Sequence, residues 1–203
     1  VEIPSLTDGQ IAVSSTAGYT GRWLPLLESA FGTLRLRNKP ADGQPDEPTD
    51  LIAKGGYAGE SIELLTGHDA SRINLVPLLK EPATDAKIAE ISGAARDVLK
   101  KLKAERKLGA LGTSKDPKTP GITPNHAFAV LDYDEAADTV TIWNPHGNTF
   151  KPKGTPGLEH GYPTTRGTFT MPVTDMVKTF RGLVYETDRP AEPNRKPAPK
   201  KST

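Results

Sequence analysis

The spacing of apolar residues changes once along this chain, near Gly109, and that change limits what it can fold into. Before Gly109 the apolar positions recur at steps of three and four, the period of a helix with one buried stripe. After it they alternate, the period of strands with one buried face. Helices followed by an antiparallel sheet make an α+β fold. Trp23, Leu26, Leu27, Ala30, Phe31 and Leu34 form the stripe of a first helix, which Thr20 can cap and whose first turn accommodates Pro25. A short helix over 60–66 follows, stopped by Gly67. The longest helix opens at Thr84-Asp85, buries Ile88, Ile91, Ala95, Val98 and Leu102, and ends at Gly109. Its basic end, KKLKAERK, suits the negative pole of the helix dipole and is expected to be a solvated face.

The alternating part supplies ALGTS, HAFAVLDYD, TVTIWNP, GTFTMP and GLVYET as strands, with a polar turn at Asp134–Asp138. A short helix over Val173–Phe180, opened by Thr174-Asp175, precedes the last strand. At the other end, VEIPSLTDGQIAVSS predicts two extended segments around an Asp8-Gly9 turn, with Ile11 and Val13 alternating after it. Residues 35–50 and 146–167 are polar, Pro- and Gly-rich loops, and 189–203 predicts a disordered Pro/Lys-rich tail. The resulting division is one folded region over 1–188, carrying an insertion at 35–50, and the tail.

A chain of 203 residues can bury one sizeable core or two small ones. Its 26 basic and 25 acidic residues leave a net charge of +1, which gives no electrostatic case for nucleic acid or an anionic membrane as partner. No apolar run approaches the length of a membrane span. With no cysteine, disulfides, thiolate zinc sites and a thiol nucleophile within the chain are all excluded. It starts at Val1 with no targeting leader in view, so a piece of a longer, cytoplasmic polypeptide is expected.

The chain contains four histidines, His68, His126, His146 and His160. His126 stands apart because it opens an apolar strand directly after the loop PKTPGITPN. The partner strand of that hairpin ends at Trp143-Asn144-Pro145, which can bring Asn144 alongside His126. An imidazole oriented by an amide is what a thiol peptidase requires, because the ring accepts the thiol proton and the amide oxygen fixes its tautomer. A hairpin that merely ends in polar residues has the same spacing. Asp46-Glu47 and Asp132-Asp134-Glu135 are acidic enough for a hard cation, or are solvated turn residues. His146 and His160 lack helical spacing and thiolate companions, which argues against zinc.

Five collinear segments, GRWLPLLESAFGTL, GGYAGESIELLTG, NHAFAVLDYD, TIWNPHG and GTFTMPVTDMVKTF, resemble the calpain family of cysteine peptidases over about residues 7–187. The resemblance implies a papain-like fold and part of an endopeptidase that hydrolyses peptide bonds through a Cys-His-Asn triad. It assigns His126 as the catalytic histidine and Asn144 as the orienting asparagine. Trp23, Glu28 and Gly55-Gly56 also match, and are expected to pack in the core, to anchor a helix or loop, and to turn the backbone. The family's cysteine and oxyanion glutamine would lie upstream of Val1. His146 stands where the family has the tryptophan that covers the His–Asn bond, and Asn125 stands where it has glycine. The implied partners are a protein or peptide substrate and a cysteine-bearing segment of the same polypeptide or of a partner chain. The chemistry requires no cofactor; calcium is implied by the resemblance alone, with no assignable ligands. The chain by itself is expected to be inactive. A calpain-like binding module without catalysis, and a purely structural α+β domain, are the alternatives.

Overall fold

The computed structural model describes residues 23–37, 55–76, 78 and 83–192, with side chains in the first helix described over 25–34. The chain divides into two compact units, Val1–Tyr57 and Ala58–Thr203, where the sequence predicts one region over 1–188. The Asp8-Gly9 turn, the Thr20 cap and most of the 35–50 loop lie outside the described residues, as does the Trp23 side chain.

In the first unit, α1 spans Trp23–Arg37 and takes the first three residues of the predicted loop, which are good helix formers. Pro25 sits in its first turn, where no intrahelical N–H is needed. Burial pushes the Glu28 carboxyl above its ordinary pKa. Gly55 has φ +73°, so it turns the chain as expected.

The second unit is α+β. In chain order it contains α2 (Ala58–Thr66), β1 (His68–Asn74), α3 (Asp85–Glu105), β2 (Gly109–Gly112), β3 (Ala127–Asp134), β4 (Thr139–Trp143), β5 (Thr168–Pro172), α4 (Val173–Thr179) and β6 (Gly182–Pro190). The six strands form one antiparallel sheet in the order β1-β6-β2-β3-β4-β5. One strand therefore precedes the long helix, which corrects the expected order of helices first and sheet afterwards. HDASRIN carries no apolar alternation, and its strand exists because β6, more than a hundred residues later, pairs with it from Asn74↔Gly182 to Ala70↔Glu186.

Neighbouring strand residues point to opposite faces of the sheet. Leu183 faces the core with its partners Leu111 and Ile73, joined by Phe128, Val140, Ile142, Phe169 and Met171. Onto this face pack Ile91, Ala95, Leu99 and Leu102 of α3 and Val173, Met176 and Val177 of α4. Val184 faces the other way, where α2 lies against it: a Cβ at Gly59 would stand 3.5 Å from Ala70 Cβ and 3.7 Å from Val184 Cγ1. No helix among the described residues is long and apolar enough to cross a membrane.

The expected capping of α3 holds at its start, where Lys87 N–H donates to Thr84 Oγ1 at 3.3 Å. Its end differs from the expected stop at Gly109. Arg106 adopts φ 54°, and Lys107 N–H donates to Leu102 O at 2.9 Å. Gly109 serves helix–sheet contact instead, since a Cβ there would lie 2.6 Å from Leu102 Cδ1. The basic end is also more than a solvated face: Lys100 pairs with Glu135, Lys103 with Asp132, and Lys101 and Lys107 with Asp188. At the fourth helix no side chain caps the start, which follows Pro172 rather than Thr174-Asp175. Of the tail predicted over 189–203, residues 193–203 lie outside the described residues, and the start is ordered. Arg189 and Pro190 belong to β6, Arg189 Nη2 pairs with Asp69 Oδ2 at 2.9 Å, and Ala191 N–H donates to Gly67 O at 2.8 Å.

Two buried polar groups yield stability predictions. Ser92 is fully buried and its Oγ has no hydrogen-bond partner among the described residues. Ser92→Ala removes that desolvated hydroxyl and should raise stability by about 1 kcal/mol in urea denaturation. Buried Glu186 places Oε1 2.6 Å from His68 Nδ1, while Oε2 accepts from Leu108 N–H at 2.9 Å. Burial alone would raise this carboxyl, but the hydrogen bonds outweigh it and hold the pKa below the ordinary carboxylate value. Its contribution is thus complete above the ordinary carboxylate range and is lost as pH falls through the lowered native value. Glu186→Gln should flatten that acid limb of the stability curve.

Candidate active site

His126 is the residue immediately before β3, and Asn144 the residue immediately after β4. The hairpin register, Ala129↔Trp143 and Val130↔Ile142, carried past the strand ends sets His126 opposite His146 and Phe128 opposite Asn144. Both candidate residues therefore sit at one end of the sheet, each held by a strand that enters the core within two residues.

The backbone at His126 is fixed on both sides. Thr113 N–H donates to His126 O at 2.9 Å, and His126 N–H donates to Thr113 Oγ1 at 2.9 Å. That hydroxyl donates in turn to Thr123 O at 2.8 Å, tying down the preceding loop. Asn125 adopts φ 48°, a left-handed conformation open to glycine and, among the other residues, most readily to asparagine. Asn125 thus carries the left-handed turn that leads into β3. Deeper in the same loop, Thr119 Oγ1 and Thr179 Oγ1 share a buried hydrogen bond of 3.1 Å.

Asn144 is completely buried, and its amide uses every hydrogen-bonding position it has. Oδ1 lies 2.9 Å from His126 Nε2 and accepts from His146 N–H at 3.0 Å. Nδ2 donates to Thr123 Oγ1 at 3.0 Å and to Asn148 Oδ1 at 2.9 Å. A backbone N–H can only donate, so the amide atom facing His146 N–H has to be the oxygen. The same oxygen faces His126, which makes Nε2 the protonated nitrogen of the neutral ring. Nδ1 then carries the lone pair, and it is the nitrogen available as a base.

His146 lies over this pair. Its ring centroid is 4.0 Å from that of His126 at an interplanar angle of 36°, and the Phe128 ring meets His126 in an edge-on arrangement with centroids 5.3 Å apart. An imidazole thus stacks on the His126 ring while its own backbone N–H holds the amide of Asn144. Burial lowers the pKa of His126, the charge of a protonated His146 lowers it further, and the bond to Asn144 opposes both. The net lowering favours a neutral ring at neutral pH, ready to accept a proton.

The other histidines lie elsewhere: His68 pairs with Glu186 beside β1, and His160 packs its ring against Gly154 in the 146–167 loop. The acidic group near β3 does not converge on a cation. Asp132 pairs with Lys103, Glu135 with Lys100, and Asp134 Oδ1 accepts from Ala136 and Ala137 N–H at 2.9 and 3.1 Å. Among the described residues no group of three His, Asp or Glu suits a metal ion, so the calcium implied by resemblance finds no donor set there; Asp46 and Glu47 lie outside them. Thr113, Thr123 and Asn148 were not marked by the sequence pattern. Their signal is indirect: a buried orienting amide needs two acceptors for its NH₂ group, and these must come from polar residues near His126 and Asn144.

Gly167 supports the asparagine from behind. Its carbonyl accepts Asn144 N–H at 2.8 Å, its φ is +81°, and a Cβ on it would lie 2.1 Å from Asn144 O. Gly167→Ala should therefore cost at least about 1–3 kcal/mol and displace Asn144. Gly147, with φ +68° but nothing within 4 Å of an added Cβ, is the control: Gly147→Ala bears only the backbone strain. Denaturant midpoints and the His126 ring resonances measure both effects.

No family model matches the chain, and no curated protein matches it in sequence.

Proposed function

We propose that this chain carries the histidine and asparagine of a calpain-like cysteine endopeptidase of papain-like fold, with the thiol supplied by another segment of the same polypeptide or by a partner chain. The carrying observation is the Nε2–Oδ1 contact of 2.9 Å between His126 and a fully buried Asn144, in the orientation that leaves Nδ1 basic. An antiparallel sheet that presents the histidine at a strand start supports the same reading.

In this reaction Nδ1 of His126 takes the proton of the approaching thiol. The thiolate attacks the scissile carbonyl carbon, forming a C–S bond while the carbonyl π electrons move to oxygen. On collapse the C–N bond breaks, and the leaving amine takes the proton from Nδ1–H. Water then gives a proton to Nδ1 as its oxygen attacks the thioester, and the thiolate departs, leaving a carboxylic acid. Asn144 Oδ1 accepts from Nε2–H throughout, so the ring keeps its direction while Nδ1 is charged and discharged. Phe128 and His146 narrow the access of water to the pair, which strengthens its hydrogen bond. No step involves a metal.

The second reading, a binding module that has lost catalysis, is favoured by His146, whose smaller and titratable ring replaces an indole. A peptidyl epoxide probe, applied to the natural polypeptide that contains this chain, separates the two. The peptidase labels a cysteine outside this sequence, and His126→Ala slows labelling by about a hundredfold or more. Equal labelling rates in wild type and His126→Ala, or no labelled cysteine at all, would leave the binding module. The present chain alone, having no cysteine, should hydrolyse no peptide.

A further inference from the structure

We propose that Thr123 and Asn148 are positioning residues which, by holding the NH₂ group of Asn144, determine which nitrogen of His126 is basic. This inference rests on the peptidase reading of the His126–Asn144 pair and extends it to two residues that hold Asn144. A carboxamide has nearly equal shape in its two flipped states, so burial alone does not choose between them. Here the choice is made by chemistry. Thr123 Oγ1 and Asn148 Oδ1, at 3.0 and 2.9 Å from Nδ2, offer acceptors to the donor end of the amide. The backbone N–H of His146, at 3.0 Å, offers a donor to the acceptor end. A flipped amide would set NH₂ against the N–H of His146 on one side and its oxygen against Asn148 Oδ1 on the other, with only the Thr123 hydroxyl able to turn and donate to it. It would also present NH₂ to His126, so the ring would have to accept at Nε2 and carry its proton on Nδ1, where it could not take one from a thiol.

The two acceptors come from different loops. Thr123 belongs to the segment before β3, anchored through Thr113 and through the buried Thr119–Thr179 bond. Asn148 follows β4, and its own backbone carbonyl accepts Gly167 N–H at 2.7 Å. The amide therefore closes a link between the loops on either side of the hairpin, and each loop's order bears on the tautomer. Removing both acceptors leaves the NH₂ of a fully buried residue without partners, a loss that is relieved only if the side chain moves.

Proton NMR of this chain as it stands, without any nucleophile, tests the role directly. In the wild type, His126 should show a downfield Nε2–H resonance in slow exchange with water. In Thr123→Val/Asn148→Ala, exchange of that proton should accelerate by about tenfold or more, the factor corresponding to loss of one buried hydrogen bond. In Thr123→Ser/Asn148→Asp, which keeps an acceptor at both places, exchange should stay within about twofold of the wild type. If the first double variant does not fold, the near-isosteric Thr123→Val carries the test, with acceleration by about threefold expected from the loss of one of two acceptors. Unchanged exchange in a folded Val variant overturns the positioning role and leaves the peptidase reading standing. A wild-type ring protonated at Nδ1 overturns the peptidase reading, and this inference with it.

Discussion

A single buried carboxamide organises the end of the sheet where the candidate chemistry lies. Asn144 has no solvent exposure, and transfer of an unpaired amide to such a place would cost about 2–7 kcal/mol. The fold offsets that cost by giving it two donors and two acceptors, drawn from His126, His146, Thr123 and Asn148. Because every position is occupied, the amide has one orientation, and the imidazole next to it has one tautomer. The loops before β3 and after β4 have little regular structure of their own, yet both are bound to this group. Site order and fold order are thus the same thing here.

The sheet makes that arrangement possible. Phe128 and Ile142 belong to the apolar core under α3 and α4, and they stand two residues from His126 and Asn144 respectively. Rigid, packed strands hold both side chains, while the loops supply only their partners. The hairpin is bulged between Val130 and Asp132, away from the site end, so the pairing nearest the histidine stays regular. The residues flanking the pair fit this frame: Asn125 tolerates the left-handed backbone that a glycine would adopt, and His146 contributes both a ring and a backbone donor.

Much of this was legible in the residues because it depends on local pattern. Ile91, Ala95 and Leu102 fall on one helical face, Thr84 has the oxygen a cap needs, and Val140 and Ile142 alternate, so α3 and the β3–β4 hairpin could be placed closely. The pairing of His126 with Asn144 followed from that hairpin. What could not be read was set by contacts distant in sequence. HDASRIN has no pattern of its own and becomes β1 only beside β6. Gly109 resembles a helix stop, but the helix ends earlier, at Arg106 in the left-handed conformation, and the glycine instead leaves room for Leu102. Thr123 and Asn148 are ordinary loop residues until the buried amide between them is known. The lysines of α3 carry nothing in their own spacing that foretells partners on β3, on the β3–β4 turn and on β6.

The position of β6 has a consequence for how such a chain comes into being. This strand is the last described element, yet it lies inside the sheet, with β1 on one side and β2 on the other. During synthesis the hairpin bearing the histidine and asparagine can form as soon as its own residues leave the ribosome. The first described strand must wait for β6, its described neighbour in the sheet, and loop closure over that separation is slow. A message cut short before Gly182 would thus yield a chain in which the chemical pair has a scaffold while the sheet beneath it lacks its seam.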